Sequence, residues 1–231
     1  MREKIVVFTG AGVSAESGLK TFRDSGGLWH EHRIEDVATP AAWHADPATV
    51  LGFYNERRDD MRKAQPNPAH TAIARLEEAF DVVVVTQNID DLHERAGSTR
   101  VLHVHGEIGK SRSTVDPTLI YDLAGAHIAL GDLCEHGSQL RPDVVWFGEE
   151  VRFMDESQWH IERAAKVLVV GTSLTVYPAA ALLDDAAHGA EKYVVSPDAQ
   201  NCPCDYRLLR GTAATVVPYV VACWLEGRSV T

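Results

Sequence analysis

The stretch VVFTGAGVSAESGLKTFR, residues 6–23, decides the fold, because a buried strand runs directly into a turn of small residues. The run that ends at Thr9 is apolar and rich in β-branched residues, which is typical of a strand buried on both faces of a parallel sheet. Gly10 and Gly12 let the backbone turn tightly and approach a ligand closely, and Ala15 keeps the following helix near the sheet. GAGVSA therefore satisfies the G-x-G-x-x-G/A pattern of dinucleotide binding. A tight strand-to-helix turn without a ligand is the alternative.

The residues after this turn favour a ligand. Glu16 adds a carboxylate, and Phe22 and Arg23 place a guanidinium group directly after an aromatic ring. A charged fork beside a ring suits a phosphate group and a flat ligand better than it suits plain packing. A surface ion pair between Arg23 and Glu16 is the alternative interpretation.

The rest of the chain alternates strand patterns with helix patterns. Apolar runs predict six strands, at residues 5–9, 82–86, 101–104, 144–147, 167–170 and 193–195. Helical patterns lie between several of them, at residues 67–79, 155–165 and 178–188. This alternation predicts an α/β fold with a doubly wound, Rossmann-like parallel sheet and helices on both faces.

Two segments interrupt the alternation and predict a small lobe. Residues 30–66 contain three prolines and the polar run NERRDDMRK, and residues 109–140 have no strong periodicity. We therefore expect one domain over residues 1–231. Its Rossmann-like part is expected at about 1–29, 67–108 and 141–231, and its small lobe comes from insertions at about 30–66 and 109–140.

Composition excludes several classes of protein. The formal net charge is −11 and no basic stripe is present, which argues against a nucleic-acid partner. No apolar run reaches 18 residues, no signal peptide is visible, and the four cysteines form no framework pattern. We therefore expect a cytoplasmic protein without a membrane partner. The sequence does not indicate an oligomeric state.

The segment TQNIDDLHERAG, residues 86–97, begins at the end of a predicted strand. Gln87, Asn88 and Asp90 should therefore lie at the carboxyl end of that strand, where open α/β sheets bind ligands. His93 follows on a predicted helix, where a satisfied structural histidine is the simpler interpretation.

The segment HVHGE, residues 103–107, ends the next predicted strand. The strand period of two places His103 and His105 on one face, and Gly106 lets the chain leave sharply. We expect His105, the last residue before the glycine, to face the crevice. His103 is more simply interpreted as a structural histidine.

These segments together resemble the sirtuin family of NAD-dependent protein lysine deacylases. The motifs occur in the order of that family and cover the chain from about residue 5 to residue 218. They are GAGVSAESGLKTFR, TQNIDDLHERAG, HVHGE, WFGE at residues 146–149 and GTSLTVYPAA at residues 171–180. FYNERR at residues 53–58 makes the chain most similar to the bacterial CobB-type, class III branch.

The resemblance implies NAD as the cofactor. The residues it assigns to NAD are Gly10, Ala11, Glu16, Phe22, Arg23, Gln87, Asn88, Ile89, Asp90, Gly171, Thr172, Ser173, Ser196, Asp198 and Ala213. Among them, Gln87 and Asn88 would hold ribose hydroxyls and an ordered water, and Asp90 would contribute to the nicotinamide pocket. The segment Ser196-Pro197-Asp198 stands where the family commonly has an asparagine, so the adenosine contact there departs from the family pattern.

The resemblance also implies a reaction in which His105 and Asn88 are catalytic. In the family scheme, nicotinamide leaves the ribose as the acyl-lysine oxygen attacks, and a histidine then removes a ribose proton. A histidine with the unperturbed pKa of about 6.5 can accept that proton near pH 7. The products would be lysine, nicotinamide and O-acyl-ADP-ribose. A protein mono-ADP-ribosyltransferase and a non-catalytic module that binds NAD or ADP-ribose are the alternatives.

The implied partner is an acylated lysine in a protein or peptide, bound as an extended strand. The residues expected to hold it are Tyr54, Arg57, Phe147, Gly148, Val176 and Tyr177. Tyr54 and Arg57 match the Tyr-x-x-Arg motif with which class III sirtuins recognise the distal carboxylate of succinyl-, malonyl- or glutaryl-lysine. A guanidinium fork bonds such a carboxylate, and acetyl offers none. An exposed helix on which Arg57 pairs with Glu56 or Asp60 is the alternative.

Most sirtuins carry two cysteine pairs for a structural zinc ion, and this chain departs from that pattern. Cys134 is its only cysteine between residues 109 and 140, and Ser113 stands about where the first family cysteine would be. A tetrahedral zinc site needs four ligands. We therefore expect no zinc, and an insertion held together by apolar residues such as Leu119, Ile120, Tyr121, Leu130 and Leu133. A patchwork metal site of His, Cys and Asp residues is the alternative.

Overall fold

The computed structural model describes residues 2–19, 28–29, 32–197 and 202–231. Three predicted site residues, Phe22, Arg23 and Asp198, lie outside the described residues. Within the described part of the chain, none of the helices combines the length and the apolar character needed to cross a membrane.

The structure contains eleven strands and seven α-helices in its described part. The strands are β1 (Lys4–Thr9), β2 (Leu28–Trp29), β3 (His32–Arg33), β4 (Asp81–Thr86), β5 (Val101–His103), β6 (Gly106–Ser113), β7 (Ile120–Asp122), β8 (Leu140–Val144), β9 (Lys166–Val170), β10 (Glu191–Ser196) and β11 (Arg207–Arg210). The helices are α1 (Ile34–Val37), α2 (Pro40–Ala45), α3 (Pro47–Lys63), α4 (Pro68–Arg75), α5 (Leu92–Arg95), α6 (Met154–Glu162) and α7 (Ala213–Leu225). Short 3-10 segments occur at Ala11–Val13, Ala15–Ser17, Leu76–Glu78 and Ala179–Asp185.

Six strands form one parallel sheet in the order β11-β10-β9-β1-β4-β5, so the predicted Rossmann-like fold is confirmed. The chain builds outward from β1 through β4 and β5, and later continues on the other side of β1 through β9 and β10. The switch point therefore lies between β1 and β9, where such sheets open a crevice at their carboxyl edge. Thr9 pairs with Val170 at the ends of these two strands, so Gly10 and Gly171 emerge side by side.

Alternating side chains of the sheet supply two separate cores. Ile5 and Val7 of β1 face a cluster that includes residues of α4 and α7, and Val6 and Phe8 face a cluster that includes residues of α6 and Ala179–Asp185. This alternation is the strand period of two, applied to a sheet that is covered on both faces.

The turn after β1 differs from the expectation of a helix. The chain forms two short 3-10 segments, Ala11–Val13 and Ala15–Ser17, in place of a regular α-helix. The glycines in this turn are required because the segment after β9 passes close to it. A Cβ on Gly12 would lie 2.7 Å from Cα of Gly171, and a Cβ on Gly10 would lie 2.9 Å from Cβ of Thr172. The N–H of Gly12 donates to the carbonyl of Gly171 at 2.8 Å.

The small lobe contains α1, α2 and α3, and the starts of α2 and α3 are encoded locally. Thr39 and Asp46 accept hydrogen bonds from the backbone N–H groups of Ala42 and Thr49, and a proline follows each cap. Such capping residues satisfy N–H groups that a helix leaves open, and proline suits the first helical position. The buried residues of α2 and α3 form a third cluster together with Ile108, Ile128, Val144 and Trp146.

Two expectations for the second insertion and the strand that follows it were wrong. The predicted strand at residues 144–147 is instead β8, which ends at Val144 and runs antiparallel to β6 in a separate sheet of order β7-β6-β8. Ile120, Leu130 and Leu133 are 44%, 57% and 55% exposed, so they do not form the expected apolar filling. Polar contacts join this segment instead, because Thr114 contacts Ser138, Tyr121 donates to Glu135, and the Cys134 thiol donates to Ser113 at 3.3 Å.

Two elements near the C-terminus were missed. The strand β11 is short and only partly apolar, and α7 contains Pro218 within a run of apolar residues. Neither the period of two nor the period of 3.6 is distinct in these segments. Their positions are set by packing, since buried residues of α7 belong to the same cluster as those of α4 and β1.

Candidate active site

A cleft of about 650 Å³ opens at the carboxyl edge of the parallel sheet, over the switch point. Every predicted site residue in the described part of the chain lines it: Gly10, Ala11, Glu16, Tyr54, Arg57, Gln87, Asn88, Ile89, Asp90, His105, Phe147, Gly148, Gly171, Thr172, Ser173, Val176, Tyr177, Ser196 and Ala213. Residues from five strand ends and from the small lobe therefore meet in one cavity. The size is that of a site for a small molecule or cofactor.

The floor of the cleft is made of backbone with few side chains. Gly171 has a φ of +64° and a Cβ on it would lie 2.2 Å from the backbone nitrogen of Val13, so only glycine fits at this crossing. Glu16 accepts a hydrogen bond from the N–H of Ala214 at 2.7 Å, which ties the turn after β1 to the first turn of α7. Ala213 precedes that amide and lines the cleft.

Gln87 has an unsatisfied donor that fits NAD. Thr172 donates to Oε1 of Gln87 at 2.9 Å, which orients the side-chain amide. Its Nε2 is buried and has no hydrogen-bond partner among the described residues. A buried donor of this kind costs free energy unless a partner arrives. A ribose hydroxyl or a phosphate oxygen supplies that acceptor, so the residues present fit the expected cofactor.

Asn88 is held by bonds from both its backbone and its side chain. Its N–H donates to the hydroxyl of Thr86 at 3.0 Å, and its Nδ2 donates to the hydroxyl of Ser14 at 3.1 Å. The same Ser14 hydroxyl donates to Oδ2 of Asp90 at 3.1 Å. Burial raises the pKa of the Asp90 carboxyl, which also accepts the N–H of Leu92.

Sequence reasoning missed Ser14 and His70 in this polar cluster. Ser14 lies within GAGVSA but counted there only as a small residue, and His70 lies on α4 without any local motif. Nε2 of His70 is 3.5 Å from the Ser14 hydroxyl, and its Nδ1 accepts the N–H of Asn67 at 3.3 Å. Burial lowers the pKa of His70 to about 4, so the imidazole is neutral.

His105 is half-buried, and one ring nitrogen is already bonded. Its Nδ1 is 3.0 Å from the carbonyl oxygen of Gln87, which can only accept. The proton of the neutral ring therefore resides on Nδ1, and Nε2 carries the lone pair. Burial lowers the pKa of His105 below the usual 6.5. At neutral pH the residue is a base with a defined acceptor nitrogen.

Tyr54 and Arg57 reach the cleft from α3, and Tyr54 packs within an apolar cluster. The cleft wall near them is formed by Ile34, Ala38, Met61, Ile108 and Val144. Tyr54 is fully buried, and its hydroxyl accepts the indole N–H of Trp146 at 3.1 Å. Burial lowers the pKa of Arg57 to about 10, so its guanidinium group is still positively charged at pH 7.

Trp146 is itself held in a charged clamp that the sequence did not reveal. The guanidinium carbon of Arg141 lies 3.2 Å from the centre of the Trp146 ring. Arg141 also bonds both oxygens of Glu149, at 2.6 and 3.0 Å, and Glu149 accepts the backbone N–H of Trp146. Arg112 donates to the same carboxylate. This clamp fixes the segment that contains Phe147 and Gly148.

The residues at the zinc position of the family do not fit a metal ion. The Cys134 thiol donates to the hydroxyl of Ser113, and that hydroxyl accepts the N–H groups of Val115 and Asp116 at 3.2 Å each. In the described part of the chain, no group of three or more His, Cys, Asp or Glu residues is arranged to hold a metal ion. A structural zinc site requires four such ligands.

Comparisons with known proteins identify the relatives of this chain. The model of the Sir2 family matches residues 10–178. An NAD-dependent protein deacylase of Helicobacter pylori (strain J99) is 49% identical over 199 residues, covering 86% of this chain and 85% of the relative. One from Shewanella oneidensis (strain MR-1) is 46% identical over 240 residues, covering 100% of this chain and 98% of the relative.

Solved structures agree with these sequence relatives. A Sir2 homolog in complex with NAD has a TM-score of 0.87 and 39% identity, covering 99% of this chain and 91% of its own. A mutant Sir2 homologue in complex with 2′-O-acetyl ADP ribose has a TM-score of 0.86 and 38% identity, covering 100% and 95%. With the sheet topology, the cleft and these relatives in agreement over nearly its whole length, the chain belongs to the Sir2 family.

Proposed function

We propose that this chain is an NAD-dependent protein lysine deacylase. It transfers acyl groups from lysine side chains of protein substrates and thereby restores free lysine. NAD, when bound, supplies the bond to nicotinamide that breaks and the ribose hydroxyl that accepts the acyl group. The relatives described above are NAD-dependent protein deacylases at 46–49% identity. The chain's own residues supply binding, orientation and proton transfer.

The observation that carries this function is the state of His105. A general base must be unprotonated at working pH and must present a free lone pair to the proton that it removes. The bond from Nδ1 to the carbonyl of Gln87 leaves Nε2 for this purpose, and burial keeps the ring neutral. Nε2 of His105 is therefore the atom that takes the proton of the ribose hydroxyl.

Asn88 and Gln87 support the same step by orientation. Asn88 is held by Thr86 and Ser14, so its side-chain amide oxygen has a fixed position beside the cleft. Gln87 presents its buried Nε2 as a donor and, through its carbonyl, holds the ring of His105. Two consecutive residues therefore orient both the base and the expected ribose.

One assay tests this function. The protein is incubated with NAD and an acetylated peptide, and nicotinamide and O-acetyl-ADP-ribose are measured. We expect both products from the wild type and a loss of about 100-fold or more in His105→Ala, because general-base catalysis contributes about that factor. His44→Ala is the matched control, since His44 is exposed on α2.

The outcomes separate the alternatives. ADP-ribosylated protein without O-acetyl-ADP-ribose would identify a mono-ADP-ribosyltransferase. Binding of NAD without any turnover would identify a non-catalytic module. Full turnover by His105→Ala would remove His105 from the role of base.

We further propose that the enzyme accepts acidic acyl groups such as succinyl- and malonyl-lysine. Tyr54 and Arg57 line the same cleft, and Tyr54 belongs to an apolar cluster. Burial lowers the pKa of Arg57, although the charges of Asp60 and Asp90 act to raise it. A largely buried positive charge is costly unless hydrogen-bond acceptors or a carboxylate compensate it, and the distal carboxylate of an acidic acyl group can do so. Burial also raises the pKa of Tyr54, so its hydroxyl stays protonated and can donate a hydrogen bond. These placements support recognition of a distal carboxylate.

A further inference from the structure

The strongest unassigned feature is His103, a buried histidine directly behind the cleft. It is 5% exposed and ends β5, two residues before His105. Its Nδ1 lies 2.9 Å from the carbonyl oxygen of Asn88, and its Nε2 lies 2.8 Å from Oε1 of Glu94 on α5. It does not line the cleft.

Both partners of the ring are acceptors, and this determines its charge. A backbone carbonyl has no proton to give, and neither does a carboxylate. Each ring nitrogen of His103 must therefore carry a proton for both bonds to exist, which makes the ring an imidazolium. Burial by itself lowers the pKa of His103, but the hydrogen bond and the charge of Glu94 outweigh burial and leave it above the usual 6.5.

The bond from Nδ1 reaches the segment that carries the site. Asn88, Ile89 and Asp90 all line the cleft, and the carbonyl of Asn88 belongs to the peptide that joins Asn88 to Ile89. The bond from Nε2 attaches α5, which begins two residues after Asp90, to β5. His103 thus connects the ligand-binding segment, the helix after it and the neighbouring strand.

We propose that His103 is a positioning residue that works as an imidazolium, holding the Asn88 carbonyl and Glu94 at once. The inference rests on the deacylase function proposed above. The HVHGE segment then contains two histidines in opposite states: a charged one that holds the loop and a neutral one, His105, that accepts the proton. Opposed environments of two neighbouring titratable groups are a common way of dividing such roles.

Deprotonation of His103 must break one of its two bonds. With a single ring proton, either Nδ1 faces the Asn88 carbonyl with a lone pair or Nε2 faces the Glu94 carboxylate with one. The other groups around it are Asp90 in the loop, Glu107 at the start of β6 and His93 on α5. The carboxylates favour the imidazolium, and burial lowers the pKa of His93 far enough to keep that ring neutral.

The decisive variant is Glu94→Gln. A glutamine amide can donate as well as accept, so a neutral His103 with its proton on Nδ1 keeps both bonds. Deacetylation kcat/KM is measured from pH 5.5 to 10 with an acetylated peptide, which has no distal carboxylate to titrate. We expect the wild type to lose activity at alkaline pH as His103 deprotonates, and Glu94→Gln to retain it. The acid limb, set by His105, should be the same in both proteins.

Glu107→Gln is the matched control, because Glu107 contributes charge near His103 but makes its hydrogen bond to Lys110. We expect this variant to keep the alkaline loss. His103→Asn should lower kcat/KM about tenfold or more below the alkaline limb, because it removes a charged hydrogen bond to the loop, and the difference from the wild type should shrink where the wild type itself loses activity. An unchanged alkaline limb in Glu94→Gln would overturn the proposal, and so would a uniform loss of activity in a folded Glu94→Gln protein.

A second readout does not depend on activity. The ¹⁵N resonances of the histidine rings are followed against pH in the protein alone, and His103→Asn assigns the signal. We expect His103 to show two protonated ring nitrogens at pH 7 in the wild type and one in Glu94→Gln. A neutral His103 at pH 7 in the wild type would overturn the inference while leaving the deacylase function intact. Absence of any wild-type turnover would instead contradict the proposed function alone.

Discussion

At the scale of single residues, Arg57 is the side chain whose environment says most about the substrate. It lies on α3 three residues after Tyr54, and both residues line the cleft. The guanidinium group lies 5.7 Å from the centre of the Phe53 ring, and burial lowers its pKa to about 10. A ligand carboxylate would share this buried position and accept from it.

We expect Arg57→Met to reduce kcat/KM for a succinylated peptide by about 10- to 100-fold, because a charge-assisted hydrogen bond contributes roughly 1.5–3 kcal/mol. Activity on the acetylated form of the same peptide should change much less, since acetyl has no distal carboxylate. Lys63→Met is the control, because Lys63 is an exposed cation at the end of the same helix. Equal losses on both peptides would show that Arg57 has a structural role only.

At the scale of elements, the backbone contact between the turns that follow β1 and β9 depends on the absence of side chains. The turn after β1 passes so close to Gly171 that a Cβ on Gly12 would lie 2.7 Å from Cα of that residue. A Cβ added to Gly52, in the middle of α3, would have no neighbouring atom within 4 Å. The two glycines therefore allow the effect of a single methyl group to be compared in two environments.

We expect Gly12→Ala to lower the free energy of unfolding by about 1–3 kcal/mol, because overpacking forces the two backbones apart. Gly52→Ala should be neutral or raise it by up to about 1 kcal/mol, because alanine favours the helix. Urea unfolding followed by circular dichroism measures both. A Gly12→Ala protein as stable as the wild type would contradict the close contact between the two turns.

Another element-scale feature is the three-stranded sheet of the second insertion. The end of β6 is joined to the loop that precedes β8 by two contacts. The Cys134 thiol donates to Ser113, and Thr114 contacts Ser138. In a metal site these segments would be held by four ligands. Hydrogen bonds between neutral groups require no metal to form, so the insertion has a means of closing in the absence of zinc.

We expect metal analysis of untagged protein to find well below one zinc per chain. Incubation with a strong chelator should leave the melting temperature unchanged, because structural zinc contributes to folding where it is present. A relative with all four cysteines serves as the positive control for the chelator. Near-stoichiometric zinc, or a chelator-induced fall in melting temperature, would contradict this expectation.

At the scale of the whole molecule, buried neutral histidines make stability depend on pH. His70 and His93 are both 0% exposed, and their ring centres are 4.9 Å apart. Burial lowers the pKa of His70 to about 4 and lowers that of His93 well below 6.5. Below pH 6.5 the unfolded chain takes up protons that the folded protein does not, so stability is lost on acidification.

We expect the free energy of unfolding to fall between about pH 6.5 and pH 4, by up to roughly 1.4 kcal/mol per pH unit for each such histidine. His70→Gln should show a shallower dependence, because one titrating group is gone. His44→Gln, at an exposed position, should keep the wild-type slope. Urea midpoints at several pH values measure the slopes. A stability independent of pH in this range would contradict the neutral state of these rings.

Several parts of the molecule follow from local patterns in the sequence. The apolar runs before Gly10, Gln87 and Gly171 predict parallel strands. Their hydrophobicity is continuous and does not alternate, which is typical of strands that are buried on both faces of a sheet. Parallel strands end at one edge, so the motif residues after them are expected in one crevice. The cleft contains all of these residues that the structure describes. Local pattern was sufficient here because each strand and the polar residues after it are adjacent in the chain.

Other features were decided by tertiary contacts alone. Trp146 donates to Tyr54 across 92 residues, Ser14 meets His70 and Asp90 across 56 and 76, and β8 pairs with β6 in a sheet of its own. The charge of His103 depends on the Asn88 carbonyl and Glu94, which only the folded chain brings to its two nitrogens. The sequence by itself determined the fold class, the position of the crevice and the residue types in it, because periodicity and strand ends are local. The tertiary structure decided which donors meet which acceptors, and therefore which histidine is charged and which is neutral.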